Sequence, residues 1–314
     1  MNIKKTALTA MLFMGFVFIS CSSVEGKKDS VVEKTPDVEI PEDADAPPTT
    51  WKEHWFEHNQ LLSRVYYDDD LALYYDSDVD RNIEWTRKLL SEVWVYIKSV
   101  YGEYGEDPRL FAILHTDKYS GGHPSVYMDA SHDYRNVVDC GPYQWTQPDP
   151  QAGLSMIIHE IGHIVEGSTN GIKSNPAWDI WKDSKWAEIF IYDVYKGIGR
   201  DDFAQQTYDD MVNKYDDFPR SNTQWFIDWF YPIYSEHGGS TVLNNFYDLL
   251  AENFPKTSDG KEFSRRMNMG EFVHFWSGAA GTDLQPLAEE AFGWTNEWAL
   301  QLETAKETFV GVTY

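Results

Sequence analysis

Residues 152–165 constrain this chain more than any other stretch. They read Ala152-Gly-Leu-Ser-Met-Ile-Ile-His159-Glu160-Ile-Gly-His163-Ile-Val165. Leu154, Ile157, Ile158, Ile161, Ile164 and Val165 recur at three- and four-residue steps, the period of a helix with one apolar face. His159 and His163 stand one turn apart on another face. Two imidazoles at that spacing can share a zinc ion, with Glu160 beside the attacking water. As plain core residues, the three would bury polar atoms without partners. The stretch therefore predicts an active-site helix that the rest of the chain supports, completes and covers.

Two histidines leave a catalytic zinc incomplete, because such a site needs a third protein ligand and one open position. Glu188 is the candidate. It lies early in the next helical stretch, 185–193, among Trp186, Ile189 and Phe190, where an unpaired carboxylate would be costly. Asp183 or Ser184 is expected to cap that helix. A ligand histidine also needs a carboxylate on its other ring nitrogen, and Asp193 is the candidate for that role.

The N-terminus places the site outside the cytoplasm. Lys4 and Lys5 precede an apolar run from about residue 7 to 19, too short for a membrane span and suited to an export signal. Phe18-Ile-Ser-Cys21 resembles a bacterial lipobox, which implies cleavage before Cys21 and lipid on its sulfur. Residues 1–20 are then a lipoprotein signal peptide. Residues 21–50, polar and broken by Pro36, Pro41, Pro47 and Pro48, form a flexible acidic tether. The folded domain is expected over 51–314, anchored to a membrane of the cell envelope through Cys21 and monomeric. With Cys21 lipidated, Cys140 has no intrachain partner and is expected as a small buried residue.

Within the domain, 51–66 shows mixed helical spacing. Strands are expected at 71–75, 110–114 and 135–139, the last as the edge strand above the site, with an amphipathic helix at 83–100. The alternating acids Asp76, Asp78 and Asp80 suggest a calcium loop, but Arg81 and Arg87 stand where an EF-hand needs Gly and Glu. Residues 115–134 form a long loop placed to wall a cleft; its His115, His123 and His132 are each open to a role as third ligand or substrate contact, but none has a helical spacing partner. Beyond residue 150 only helices are expected. The class is α+β, with a small N-terminal mixed sheet and a mainly helical C-terminal part.

The pattern His159-Glu-x-x-His163 with a downstream Glu188 resembles the gluzincin zinc metallopeptidases of the thermolysin superfamily. That resemblance implies a zincin-like fold, Zn2+ held by His159, His163 and Glu188, and Glu160 as general base. It also directs attention to the aromatic stretch 225–234 and to His237 for a side chain that stabilises the oxyanion, with Tyr234 preferred. The group carries Asp four residues after the ligand Glu; here that position is Tyr192, with Asp193 one further. Phe272-Val-His-Phe-Trp-Ser-Gly-Ala-Ala-Gly-Thr-Asp283-Leu resembles the end of the catalytic domain in the enhancin/mucinase-like branch, which cleaves glycoproteins.

The implied activity is endopeptidase action on extracytoplasmic proteins or glycoproteins. The alternative is a surface lipoprotein that binds glycans or protein around a non-catalytic zinc, using an aromatic content of 16%. A formal charge of −25 with no basic patch argues against nucleic-acid binding.

Overall fold

The structure, a computed structural model, describes residues 44–314. Cys21, the expected export signal and most of the expected tether lie outside the described residues.

Six strands make one mixed sheet: β1 (Thr50–Lys52), β2 (Leu61–Tyr67), β3 (Leu71–Tyr75), β4 (Leu110–Leu114), β5 (Gly122–Ser125) and β6 (Asn136–Cys140). Their order across the sheet is β1-β2-β3-β4-β6-β5. β3, β4 and β6 run parallel, and β5 returns antiparallel along the outer edge of β6. Helix α1 (Trp85–Tyr101) makes the crossover from β3 to β4. The chain is thus α+β, as expected.

Two expectations change. Residues 51–66 contain strands. Trp51 pairs with Leu62 across β1 and β2, and both are buried in a cluster with Trp55, Tyr74 and Phe111. The edge strand is β5 and not β6. It lies inside the stretch expected to be a loop, because Gly-His-Pro-Ser has no apolar alternation to announce a strand. Pro124 is tolerated there because an edge strand has no partner on one side.

The pleat sends alternate residues to opposite faces. Leu110, Ala112, Leu114, Val138 and Cys140 join the large core beneath the helices. Phe111, Ile113 and Val137 face the Trp51 and Trp55 side. Asp139 and His115 continue that second set.

After β6 come α2 (Gly153–Ser168), α3 (Trp178–Trp181), α4 (Lys185–Gly197), α5 (Asp201–Met211), a π-helical turn at Trp225–Phe230 that runs into α6 (Tyr231–Glu236), α7 (Ser240–Asn253), α8 (Met269–Ala280), α9 (Gln285–Phe292) and α10 (Asn296–Thr308). α8 opens with a capping box of Asn268 and Glu271 and stops at Gly281, whose φ of +67° suits glycine. Its side chains Phe272, Val273, Phe275 and Trp276 are buried core. Among the described residues no strand follows β6, and no helix is long and apolar enough to cross a membrane.

Candidate metal centre

Helix α2 buries Leu154, Ile157, Ile158, Ile161, Ile164 and Val165 against the sheet and α4, which turns His159 and His163 outward together. Gly162 lets α4 come close: a Cβ there would sit 3.1 Å from the Phe190 ring. The two Nε2 atoms lie 3.1 Å apart. The Asp183 carboxylate stands opposite them, at 3.6 Å from His159 Nε2 and 3.4 Å from His163 Nε2. Bonds of about 2.0–2.1 Å to a tetrahedral ion set donor atoms about 3.3 Å apart, so the three side chains fit one metal.

Glu188 is not in this group. One turn into α4, its Oε1 lies 2.8 Å from Lys185 Nζ and 3.1 Å from Lys214 Nζ. The premise that a buried carboxylate there needs a metal fails because two lysines supply the positive charge. Asp183 was expected only as a helix cap. Ser184 takes the N-cap position, and no side chain hydrogen-bonds that helix end. The Asp183 carboxylate is thus available to the histidines.

Glu166 holds the site from behind. Its Oε2 accepts from His163 Nδ1 at 2.6 Å, and its Oε1 accepts from Asn175 Nδ2 at 3.1 Å. That bond fixes the tautomer and aims the Nε2 lone pair at the centre. Asp193, expected in this role, instead accepts from the Tyr96 hydroxyl at 3.0 Å and the Tyr234 hydroxyl at 2.9 Å. Tyr234, expected to support an oxyanion, is committed to that bond and does not line the cleft. Glu166 was legible: it follows His163 by three residues, on the same face of the helix.

The electrostatics follow from the packing. Burial would lower the His163 imidazolium, but Asp183, Glu166 and Glu160 outweigh it and hold the pKa up to about 10. A metal must displace that proton, which is ordinary for imidazole ligands. His159 first, then His163, hold the Asp183 carboxyl far below the usual carboxylate range. Burial pushes Glu160 up, against His159 and His163. A carboxylate raised in this way is a better base near neutral pH.

A cleft of about 420 Å³ opens over these groups, lined by Gly121, Gly122, Tyr143, Met156, Glu160 and Asp183 among others. β5 forms its rim, so part of the stretch 115–134 does wall the cleft. Gly122 is required there. A Cβ would meet Glu160 Cγ at 2.8 Å and Cys140 Sγ at 3.0 Å. Among the described residues no strand pairs with the outer edge of β5, which leaves that edge open to an extended chain. His115, His123 and His132 do not line this cleft. Cys140 is buried, and burial pushes its thiol well up, as expected for a packed residue and not a nucleophile.

Comparison with known proteins adds little. No family model matches the chain, and no curated protein does. A functionally unknown conserved protein from Bacillus anthracis strain Ames, solved as a mutant, shares 10% identity with a TM-score of 0.46. The match covers 76% of this chain and 51% of that one, so this chain spans about half the length of that protein.

Proposed function

We propose that the protein is a zinc-dependent endopeptidase of zincin-like fold, with His159, His163 and Asp183 as ligands and Glu160 as general base. The observation that carries this reading is the convergence of three ligand atoms beside a buried carboxylate, near the outermost strand of the sheet. Zinc, when bound, supplies Lewis acidity that activates water and polarises a carbonyl. Glu160 takes the proton of the attacking water and hands it to the leaving amine. Glu166 keeps the His163 ring oriented and strengthens it as a donor. The free edge of β5 receives the substrate backbone as an added strand and so positions the scissile bond over Glu160. Tyr143, in the cleft, is the hydroxyl available to the oxyanion.

The donor set supports zinc. Two imidazoles and a carboxylate suit it, and three ligands leave an open position, as a catalytic site requires. A purely structural site has no use for Glu160, which weighs against a binding lipoprotein with inert zinc. The substrates proposed are peptides or glycoproteins outside the cytoplasm, reached from a lipid anchor at Cys21.

The test is hydrolysis of a defined peptide and glycopeptide mixture, read by mass spectrometry before chelation, after chelation and after zinc is restored. Cleavage is expected to disappear with the metal and to return with it. No cleavage by zinc-loaded protein, or cleavage indifferent to chelation, would overturn it.

A further inference from the structure

The other face of the sheet carries a second convergence of metal-binding atoms. Glu53 and His58 lie in the connection between β1 and β2. His115 follows β4, and Asp139 lies in β6. Their ligand atoms all fall within 4.8 Å of one another. His115 Nε2 is 3.0 Å from Glu53 Oε1 and 3.0 Å from Asp139 Oδ1. His58 Nδ1 is 2.9 Å from Asp139 Oδ2 and 3.8 Å from Glu53 Oε1. These spacings bracket the roughly 3.3 Å set by a tetrahedral zinc.

Hydrogen bonding accounts for only part of the cluster, the pair His58 Nδ1 and Asp139 Oδ2 at 2.9 Å. The Glu53, His115 and Asp139 side chains have 0% exposure. Yet Glu53 Oε1, His115 Nε2 and Asp139 Oδ1 have no hydrogen-bond partner. Both oxygens flank the imidazole nitrogen at bonding distance without lying along the direction in which an N–H would point. Asp76 Oδ2, 3.1 Å from His115 Nδ1, accepts the hydrogen of that nitrogen. Without a proton on Nε2, the ring turns a lone pair toward two carboxylate oxygens. Three acceptors facing one another in a dry interior need a positive charge between them, a proton or a metal ion. The pattern repeats the catalytic centre, where Glu166 holds His163 by Nδ1 and Nε2 faces the ligands. The surroundings are also built for the purpose: Trp55 Nε1 donates to Asp139 Oδ2 at 2.8 Å, and Lys118 neutralises Asp76.

We propose that Glu53, His58, His115 and Asp139 form a second metal site, closed and structural, for a zinc-type divalent ion. Two imidazoles argue against calcium or magnesium, which take oxygen ligands. Four protein donors leave no open position, so the site has no catalytic water. Two carboxylates balance the charge of the ion. Its work is mechanical. It ties the β1–β2 connection to the ends of β4 and β6. Asp139 is the register partner of His123 in β5, while the neighbouring pair Gly122 and Cys140 faces Glu160 from the other side of the sheet. The ion thus braces from behind the strand that rims the cleft.

The test counts metal. The purified full chain, loaded with zinc and dialysed against metal-free buffer, is assayed by elemental analysis. Wild type is expected to hold two zinc ions per chain. Asp139→Asn and His115→Ala should each hold one, with a melting temperature several degrees lower, and His163→Ala should also hold one. Glu53→Gln, in a connecting segment, covers the case in which a sheet variant does not fold; it should retain one zinc firmly and lose the other on dialysis. A single zinc in wild type that disappears in His163→Ala overturns the proposal, and a proton then occupies the second cluster. Unchanged zinc in folded Glu53→Gln and His115→Ala overturns it equally. The count does not depend on hydrolysis: an inactive wild type with two zinc ions would sink the peptidase reading and leave the second site standing.

Discussion

Glu166 gives the sharpest test of how the first centre is built. Its carboxylate is 3% exposed and accepts from His163 Nδ1 at 2.6 Å, a short charge-assisted bond. Glu166→Gln keeps the shape and a carbonyl oxygen but removes the charge. A hydrogen bond to a charged group contributes about 1.5–3 kcal/mol and a neutral one about 0.5–1.5, a difference of about 1–1.5 kcal/mol. That converts to a roughly tenfold weaker zinc affinity, the lower end of the 10–100-fold range typical when a ligand's supporting partner is changed. Glu166→Ala also strands Asn175 and should approach the upper end. The assay is competition against a chromophoric zinc chelator, read on the equivalent that His163→Ala removes. Glu188→Gln is the control. Its carboxylate faces Lys185 and Lys214, so its zinc affinity should stay within about twofold of wild type, while its stability falls by about 1–3 kcal/mol as a buried ion pair is broken. If Glu166→Gln binds zinc like wild type, or Glu188→Gln weakens it more, His163 and Asp183 do not hold the ion in the way proposed.

Gly122→Ala should keep zinc but lose at least tenfold in kcat/KM, since its Cβ would displace Glu160; peptide cleavage by zinc-loaded variant checks this, and wild-type rates would show that Glu160 is not held by β5. Tyr143→Phe should lower kcat by about 10²-fold with little change in KM, as loss of an oxyanion donor does; an unchanged kcat assigns that role elsewhere. Asp193 carries a pH signature. Burial raises its carboxyl to about 7 against the Tyr234 and Tyr96 hydroxyls, so the folded state binds its proton more tightly than the unfolded chain. Stability from this group is full below about pH 4 and is lost as pH rises through 7, on the order of 4 kcal/mol in all. Melting of Asp193→Asn and wild type from pH 4 to 8 should show the variant gaining on wild type as pH rises; a constant difference would refute the assignment.

The parts of this architecture that were legible in the sequence are those where periodicity and burial coincide. The strands at 71–75 and 110–114, the helix through Val93 and Ile97, and the helix that carries His159 and His163 follow from apolar spacing. β5 was not legible, because Gly-His-Pro-Ser pairs through its backbone and has no apolar side to announce it. Asp183 was hidden because a residue that caps a helix and a residue that binds a metal can have the same side chain in the same place. Glu188 misled because its lysine partners include Lys214, distant in sequence. The second cluster could not be read from spacing: its four residues are scattered from 53 to 139, and only the parallel register of β4 and β6 brings His115 and Asp139 to one face.

The most direct measurement compares wild type with Glu160→Gln, both loaded with zinc, on the same peptide mixture with metal content determined in parallel. Glu160→Gln is expected to keep the full zinc complement, because Glu160 is not among the proposed ligands, and to cleave about 10²–10⁴-fold more slowly, because the proposed general base is gone. Equal cleavage by a zinc-replete Glu160→Gln would contradict that role.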